Sequence, residues 1–269
     1  MIDNLVLPSA RYKRKAAYFS AAILVITAVC IYLNFNPLLL FADLQYMRKL
    51  LGEMMPPNFQ LLWQKSSIPK AIVQTIAMAF LATIYGCILA FILAFLSAIN
   101  TMPFKLVRFI VTGFLSLVRI VPSLVVILIF VIAVGLGPFS GMLSLVITTI
   151  GTFGKLFIDS IENSEHSPAE AIYSVGATRM QVIRYAILPQ IMPSFIANCL
   201  YAFDINIRVA IGLGILGGGG IGFELFMAMQ VLHYQDALAI ICLIIVLVLL
   251  IEKLSDRLRI SILGNDKLR

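Results

Sequence analysis

The chain has 269 residues, of which 61% are hydrophobic and only 12% charged, with a mean hydropathy of +1.01. A soluble domain carries about 25% charged residues, so this composition excludes one and defines a polytopic membrane protein. The net charge of +7 comes from Lys and Arg gathered at the ends of apolar runs, a pattern that orients membrane spans and does not suit nucleic-acid binding.

Residues 1–15 are polar and end in Arg11, Lys13, Arg14 and Lys15. A basic cluster beside an apolar run predicts a cytoplasmic N-terminus. The run 16–35 is long enough for a first span, which needs about 20 residues, and too long for a cleavable signal core. Residues 36–68 carry Pro37, Pro56, Pro57 and Trp63. They read as an external loop with an interfacial helix around Leu38–Leu51, although its Arg48-Lys49 pair opposes that side and has Asp43 and Glu53 nearby. Lys70 and Lys105 bracket the second span, 71–104. Small residues recur along it at Ala77, Ala79, Ala82, Gly86, Ala90, Ala94, Ser97 and Ala98, either for close helix packing or simply as good helix formers. Lys105 and Arg108 mark a cytoplasmic turn. Within 106–134, Pro122 removes a helix hydrogen bond and should kink or break the helix. Arg119 is expected near the cytoplasmic boundary, where its guanidinium reaches water; the alternative is a contact with substrate. Residues 135–141, GLGPFSG, form a compact external turn, and 142–158 return across the membrane with Lys155 at the inner end.

The next polar stretch, Ser167 to Pro193, reads SPAEAIYSVGATRMQVIRYAILPQIMP. Pro168 suits a first helical turn with Ser167 as its cap, and Glu170 then lies near the positive end of that helix. Gly176 allows positive φ and hence a sharp turn between two helices. Thr178 restarts a helix bearing Met180, Val182, Ile183 and Ile187, and Pro189 marks entry into the next membrane segment. By residues alone this is a pair of short cytoplasmic helices or an ordinary amphipathic connector. A fifth span follows over 186–207. Residues 209–233 are apolar and glycine-rich, with Gly212, Gly214, Gly217, Gly218, Gly219, Gly220 and Gly222 close together. Each interior glycine costs a helix about 1 kcal/mol relative to alanine, and irregular backbone at membrane depth needs protein or a water-filled cavity around it. The run either lines or gates a translocation path or is a tight packing bend. The last span is 234–252. Lys253, Arg257, Arg259, Lys267 and Arg269 follow it, so the C-terminus is also expected in the cytoplasm. The fold class expected is all-α with about six transmembrane helices.

Catalytic signatures are missing: there is no GxxxxGK[ST] and no G-x-S-x-G. His166 and His233 fall on opposite sides in this topology. Cys30, Cys87, Cys199 and Cys242 lie in apolar runs without metal spacing, and read as small packing residues. No catalytic residue, metal site or cofactor of the chain's own is expected. Arg208 follows Asp204 by four residues, a favourable helical pair; it either serves that pair or supplies positive potential along an anion's route.

Glu170-Ala171, Gly176 and Leu188-Pro189 stand at the spacing of the EAA loop, and on these residues the chain resembles the membrane subunits of bacterial ATP-binding-cassette importers. Ile172 and Ala186 depart from that pattern, apolar for apolar. Phe203, Asn206, Arg208 and the LGGGGIG run, with GLGPFSG and Gly154-Lys155-Leu156, look like the phosphonate-uptake branch; methionine-type permeases share the loop and a related glycine segment. The resemblance covers roughly residues 70–260 and implies a type I importer permease with a MetI-like fold in the bacterial cytoplasmic membrane. It divides the chain into 1–69, a tail, first span and external loop; 70–260, the transmembrane domain with coupling loop 162–189; and 261–269, a tail. It implies docking of an ATPase subunit on Glu170, Ala171, Gly176, Leu188 and Pro189. A substrate path or gate is implied at Asn206, Arg208, Gly217, Gly218, Gly219, Gly220 and Gly222. The implied partners are two ATPase subunits, which hold the ATP and Mg²⁺, a second permease copy, an external binding protein and the lipid bilayer. The implied cargo is phosphonate, phosphite or phosphate. Rival readings are a permease for methionine or other amino acids, and a membrane enzyme or scaffold. The resemblance also makes Arg119-x-x-Pro122 widespread in such permeases, which favours an architectural arginine.

Overall fold

The structure is a computed structural model that describes residues 8–33 and 44–264. Its contacts divide the chain into two units, Met1–Met55 and Pro56–Arg269. In the first, helix α1 (Pro8–Tyr32) starts well before the expected span, because Arg14 and Lys15 end the apolar run without ending the helix. Its window Arg14–Tyr32 is apolar enough to cross a membrane. Helix α2 (Leu44–Met54) carries the Arg48-Lys49 pair, with Lys49 Nζ 4.0 Å from Glu53 Oε1. The start of the expected interfacial helix, with Asp43, lies outside the described residues, as do Lys267 and Arg269.

The second unit is all-helical among the described residues. A one-turn α3 (Leu61–Gln64) leads into α4 (Ser67–Ser97). Then come α5 (Lys105–Ile120) and α6 (Ser123–Val134), bent by 91° at Pro122. Helix α7 (Pro138–Glu162) follows, then α8 (His166–Ser174) and α9 (Arg179–Val182). Helix α10 (Leu188–Leu213) follows, and the last two are α11 (Gly220–Gln230) and α12 (Tyr234–Gly264). Among the described residues of both units, α1 included, five helical stretches are long and apolar enough to span a membrane, six if the bent pair counts as one. Several ends fall beyond the expected spans. The C-terminal charges Lys253, Arg257 and Arg259 ride on α12 itself, since a charge ends a hydropathic run but is a good helix residue.

Helix α7 is the hub. It lies parallel to α4, Met78 beside Gly141 and Gly86 beside Thr149, and its Leu145, Phe153, Phe157 and Ile161 are fully buried. The small residues of α4 serve packing: Ala79, Ala82, Gly86, Ala90, Ala94 and Ser97 are all buried, and only Ala77 faces outward. Lipid tails are as apolar as leucine, so close van der Waals fit and interhelical hydrogen bonds must hold such helices together. A phenylalanine cluster fills the inner half, with Phe91 4.3 Å from Phe195 and Phe195 4.8 Å from Phe157, ring centre to ring centre.

Gly151, midway along α7, admits the last turn of α5. A Cβ there would lie 2.8 Å from the backbone nitrogen of Arg119. Arg119 is therefore alongside the middle of α7, which corrects its expected place at the cytoplasmic boundary. Pro122 ends α5 at half-depth, and a linear reading of charge cannot see that. Gly151→Ala should lower the melting temperature of the purified protein, losing about 1–3 kcal/mol by overpacking. Gly113→Ala on α5, where a Cβ meets nothing within 4 Å, should be neutral or stabilising.

Candidate functional site: an exposed hairpin and a polar cavity at mid-depth

At the inner end, the last carbonyls of α7 have no helical partners and are met by a neighbour. Asn100 Nδ2 donates to Ile161 O at 3.0 Å and to Glu162 O at 3.2 Å. The Glu165 N–H donates to Gln190 Oε1 at 2.9 Å, tying the entry of α8 to the start of α10. Between these anchors α8 and α9 form a hairpin. Gly176, at φ +82°, makes the turn. Thr178 does restart the chain as a helix: a reciprocal capping box joins it to Gln181, with Thr178 N–H donating to Gln181 Oε1 at 2.7 Å. Two local expectations fail. Helix α8 starts at His166, so Ser167 lies inside it and does not cap it, and Glu170 falls beyond the first turn. At the start of α8 no side chain caps the helix, and the Glu165 N–H donates to Gln190 Oε1 instead.

Glu170, Ala171, Gly176 and Pro189 are exposed and Leu188 half-buried. Val182 and Ile187 anchor the hairpin in the core, whereas Tyr173, Val175 and Met180, the last 72% exposed, point away from it. Ile183–Ile187 is a π-turn in which Leu188 N–H donates to Ile183 O. Pro189, with no N–H of its own, follows directly, and an apolar helical stretch continues from Arg179 to Gly218 over 40 residues.

At mid-depth the polar residues of three helices meet. Asn206, 4% exposed, donates from Nδ2 to Thr83 Oγ1 at 2.9 Å and to Thr149 Oγ1 at 3.0 Å, joining α10 to α4 and α7. Beside this node is a cavity of about 240 Å³, and Arg119, Ser123, Thr148, Thr149, Thr152 and Asn206 are its polar lining. A second cavity of about 360 Å³ on the inner side is lined by Thr112, Ser116, Arg119 and Lys155. Arg119 belongs to both. Lys155 is paired with Asp159 at 2.9 Å.

The expected path residues are not brought together. Positions two apart on a helix face different ways, so Asn206 meets α4 and α7 while Arg208 turns to α12. There Arg208 holds two carboxylates: Asp204 Oδ2 at 2.9 Å and Glu252 Oε2 at 3.2 Å. Helix α10 runs to Leu213, past the expected end at 207, so Arg208 lies within the span and not at its outer end. The glycines Gly217–Gly220 and Gly222 do break the helix, with Gly217 at φ +95° and Gly219 at φ +74°. Their surroundings are tight. Gly137 N–H donates to Gly217 O at 2.8 Å, Pro138 packs on Gly219, and a Cβ at Gly222 would strike Ile211 O. These are the contacts of a packing bend, and neither cavity includes them. Ser123, the threonines of α7 and Glu252 escaped sequence reasoning, whereas Arg119 was singled out with substrate contact as the alternative to a boundary position. The available signal was the polar run Thr148-Thr149 and Thr152 inside an otherwise apolar span.

A family model described as the inner membrane component of binding-protein-dependent transport systems matches residues 86–259, and the chain belongs to that family. It is 38% identical over 210 residues to the phosphite transport system permease protein PtxC of Stutzerimonas stutzeri, covering 78% of this chain and 75% of that one. It is 37% identical over 232 residues to the phosphate-import permease protein PhnE of Mycolicibacterium smegmatis, covering 86% of this chain and 43% of the relative. Among solved structures, the inward-facing MetNI methionine transporter superposes with a TM-score of 0.65 at 17% identity, over 76% of this chain and 99% of that one. The chain is thus an all-α importer permease of the inner membrane.

Arg208→Gln should leave Asp204, itself only 7% exposed, and Glu252 without a counter-charge. We expect a loss of about 3 kcal/mol, read as a lower melting temperature. Adding Asp204→Asn to Arg208→Gln should recover part of it.

Proposed function

We propose that two copies of this chain form the membrane pathway of an importer for a small phosphorus oxyanion, namely phosphonate, phosphite or phosphate. Two separate ATPase subunits hold the ATP and Mg²⁺ and dock on the α8–α9 hairpin. An external binding protein delivers the cargo. The observation that carries this reading is the hairpin itself. It is anchored by Val182 and Ile187 but turns Tyr173, Val175 and Met180 outward beside Glu170, an apolar surface with an acid that suits a protein partner. The cargo class is supported by the names of the relatives at 37–38% identity. A methionine permease is the second reading, favoured by 24% identity over 197 residues to a probable D-methionine transport permease and by a fold match at 17% identity.

In this reading Glu170 pairs with a basic residue of the ATPase, Gly176 and Pro189 set the shape of the docking surface, and Ala171 and Leu188 pack beneath the partner. Asn206 belongs to the path, Arg208 holds α10 to α12, and Gly217–Gly220 with Gly222 form the outer bend that adjoins the path. Both termini lie in the cytoplasm, as the basic residues at both ends require.

Cells carrying the chain should take up labelled phosphite, phosphate or phosphonate, and cells without it should not. Uptake of labelled methionine alone would overturn the cargo assignment. Glu170→Lys strands a charge in the docked interface, a loss of about 3–5 kcal/mol, and Gly176→Pro forbids positive φ. Both should abolish uptake with unchanged membrane levels; normal uptake and ATPase association in both would refute docking at this hairpin. For topology, a membrane-impermeant thiol reagent should label Leu136→Cys, at an exposed turn position (76%), but not Ser167→Cys. Ser140 in the same turn region is 1% exposed and unsuited to labelling.

A further inference from the structure

We infer that Arg119 is the contact for the transported anion, held in the mid-depth cavity it shares with Ser123, Thr148, Thr152 and Asn206; this rests on the reading that the cargo is an oxyanion. Four observations converge. First, the chain's mid-span arginines differ in their compensation. Arg208 is held by two carboxylates. Among the described residues, no carboxylate lies within 4.0 Å of Arg119. An arginine at that depth normally faces a partner or water, and Arg119 has the cavity instead. Second, no Asp or Glu lines either cavity that Arg119 borders, so an anion meets no repulsion there. Third, hydrogen-bond donors remain. Thr83 and Thr148 give their protons to backbone carbonyls of their own helices, whereas among the described residues the Ser123 and Thr152 hydroxyls have no hydrogen-bond partner. A tetrahedral oxyanion needs several such donors around one cation.

Fourth, the helix is interrupted at this place and no other on the α5–α6 path. Val118, Arg119, Val121, Pro122 and Ser123 all line the first cavity. Interrupted backbone at membrane depth is found where it is buried in protein or lines a water-filled cavity, and this break adjoins a cavity with a polar lining. Its about 240 Å³ far exceeds the ~30 Å³ of one liquid water and admits a partly hydrated phosphate-sized ion. Because Arg119 also lines the inner cavity with Lys155, the ion passes from one chamber to the next without leaving the guanidinium. Compensation of Lys155 by Asp159 keeps the inner chamber attractive without trapping the ion.

The test uses the assembled transporter in cells and in membrane vesicles. Arg119→Gln should cut uptake of phosphate, phosphite and methylphosphonate at least tenfold at unchanged membrane level and ATPase association, and Arg119→Lys should keep part of it. Undiminished uptake in Arg119→Gln would overturn the inference. A second measurement needs no transport. With Cys30, Cys87, Cys199 and Cys242 replaced by Ala, Thr152→Cys should react faster with an anionic than with a cationic methanethiosulfonate, by on the order of tenfold, and inorganic phosphate should slow both reactions. Equal rates, or no slowing by phosphate, would overturn the inference even if Arg119→Gln failed to assemble. If the unmodified transporter carries none of the three anions while the reagent preference persists, the cargo assignment fails and the electropositive chamber stands.

Discussion

Hydrocarbon offers no hydrogen bonds, and this constraint governs where every polar group in the second unit can be. Polar groups at depth are matched by protein or placed on a cavity, with Asp204 Oδ1, buried without a hydrogen-bond partner, as an exception. The C-terminal carbonyls of α7 are met by Asn100, the amide of Asn206 is shared between two threonines, and Arg208 closes on Asp204 and Glu252. At the Pro122 break Arg119 and Ser123 face a cavity.

The same constraint explains why small residues dominate the contacts. Without a solvent to drive apolar surfaces together, proximity of backbones does the work. Gly86 on α4 against Thr149, and Gly151 on α7 against Arg119, bring two polar positions into the lining of one cavity. The packing of small residues and the polar site are one feature: a larger side chain at either glycine would move the donors apart.

Much of this was legible in the sequence. The spans follow from hydropathy, the α5–α6 break from Pro122, and the hairpin turn from Gly176 followed by the Thr178 cap, all signals confined to a few neighbouring residues. Helix ends were read short because charge ends hydropathy before it ends a helix, as Lys253 to Arg259 on α12 show. The depth of Arg119 was not legible, since only Gly151, on another helix, reveals it. Neither was the pairing of Arg208 with Glu252, 44 residues away. Asn206 was picked out correctly as a polar position in the span but grouped with Arg208, because proximity in sequence conceals the half-turn that separates their faces.

At 1.5 Å per residue the 40 residues of the apolar helical stretch Arg179–Gly218 form a rod of about 60 Å that begins in the exposed hairpin and ends at the outer glycine bend. Its one buried polar tie to both α4 and α7 is at Asn206, about 39 Å from Met180 and about 18 Å from Gly218 along the axis. That tie divides the stretch about two to one by length, the longer part ending in the exposed hairpin and the shorter at Gly217, whose carbonyl accepts from the amide of Gly137.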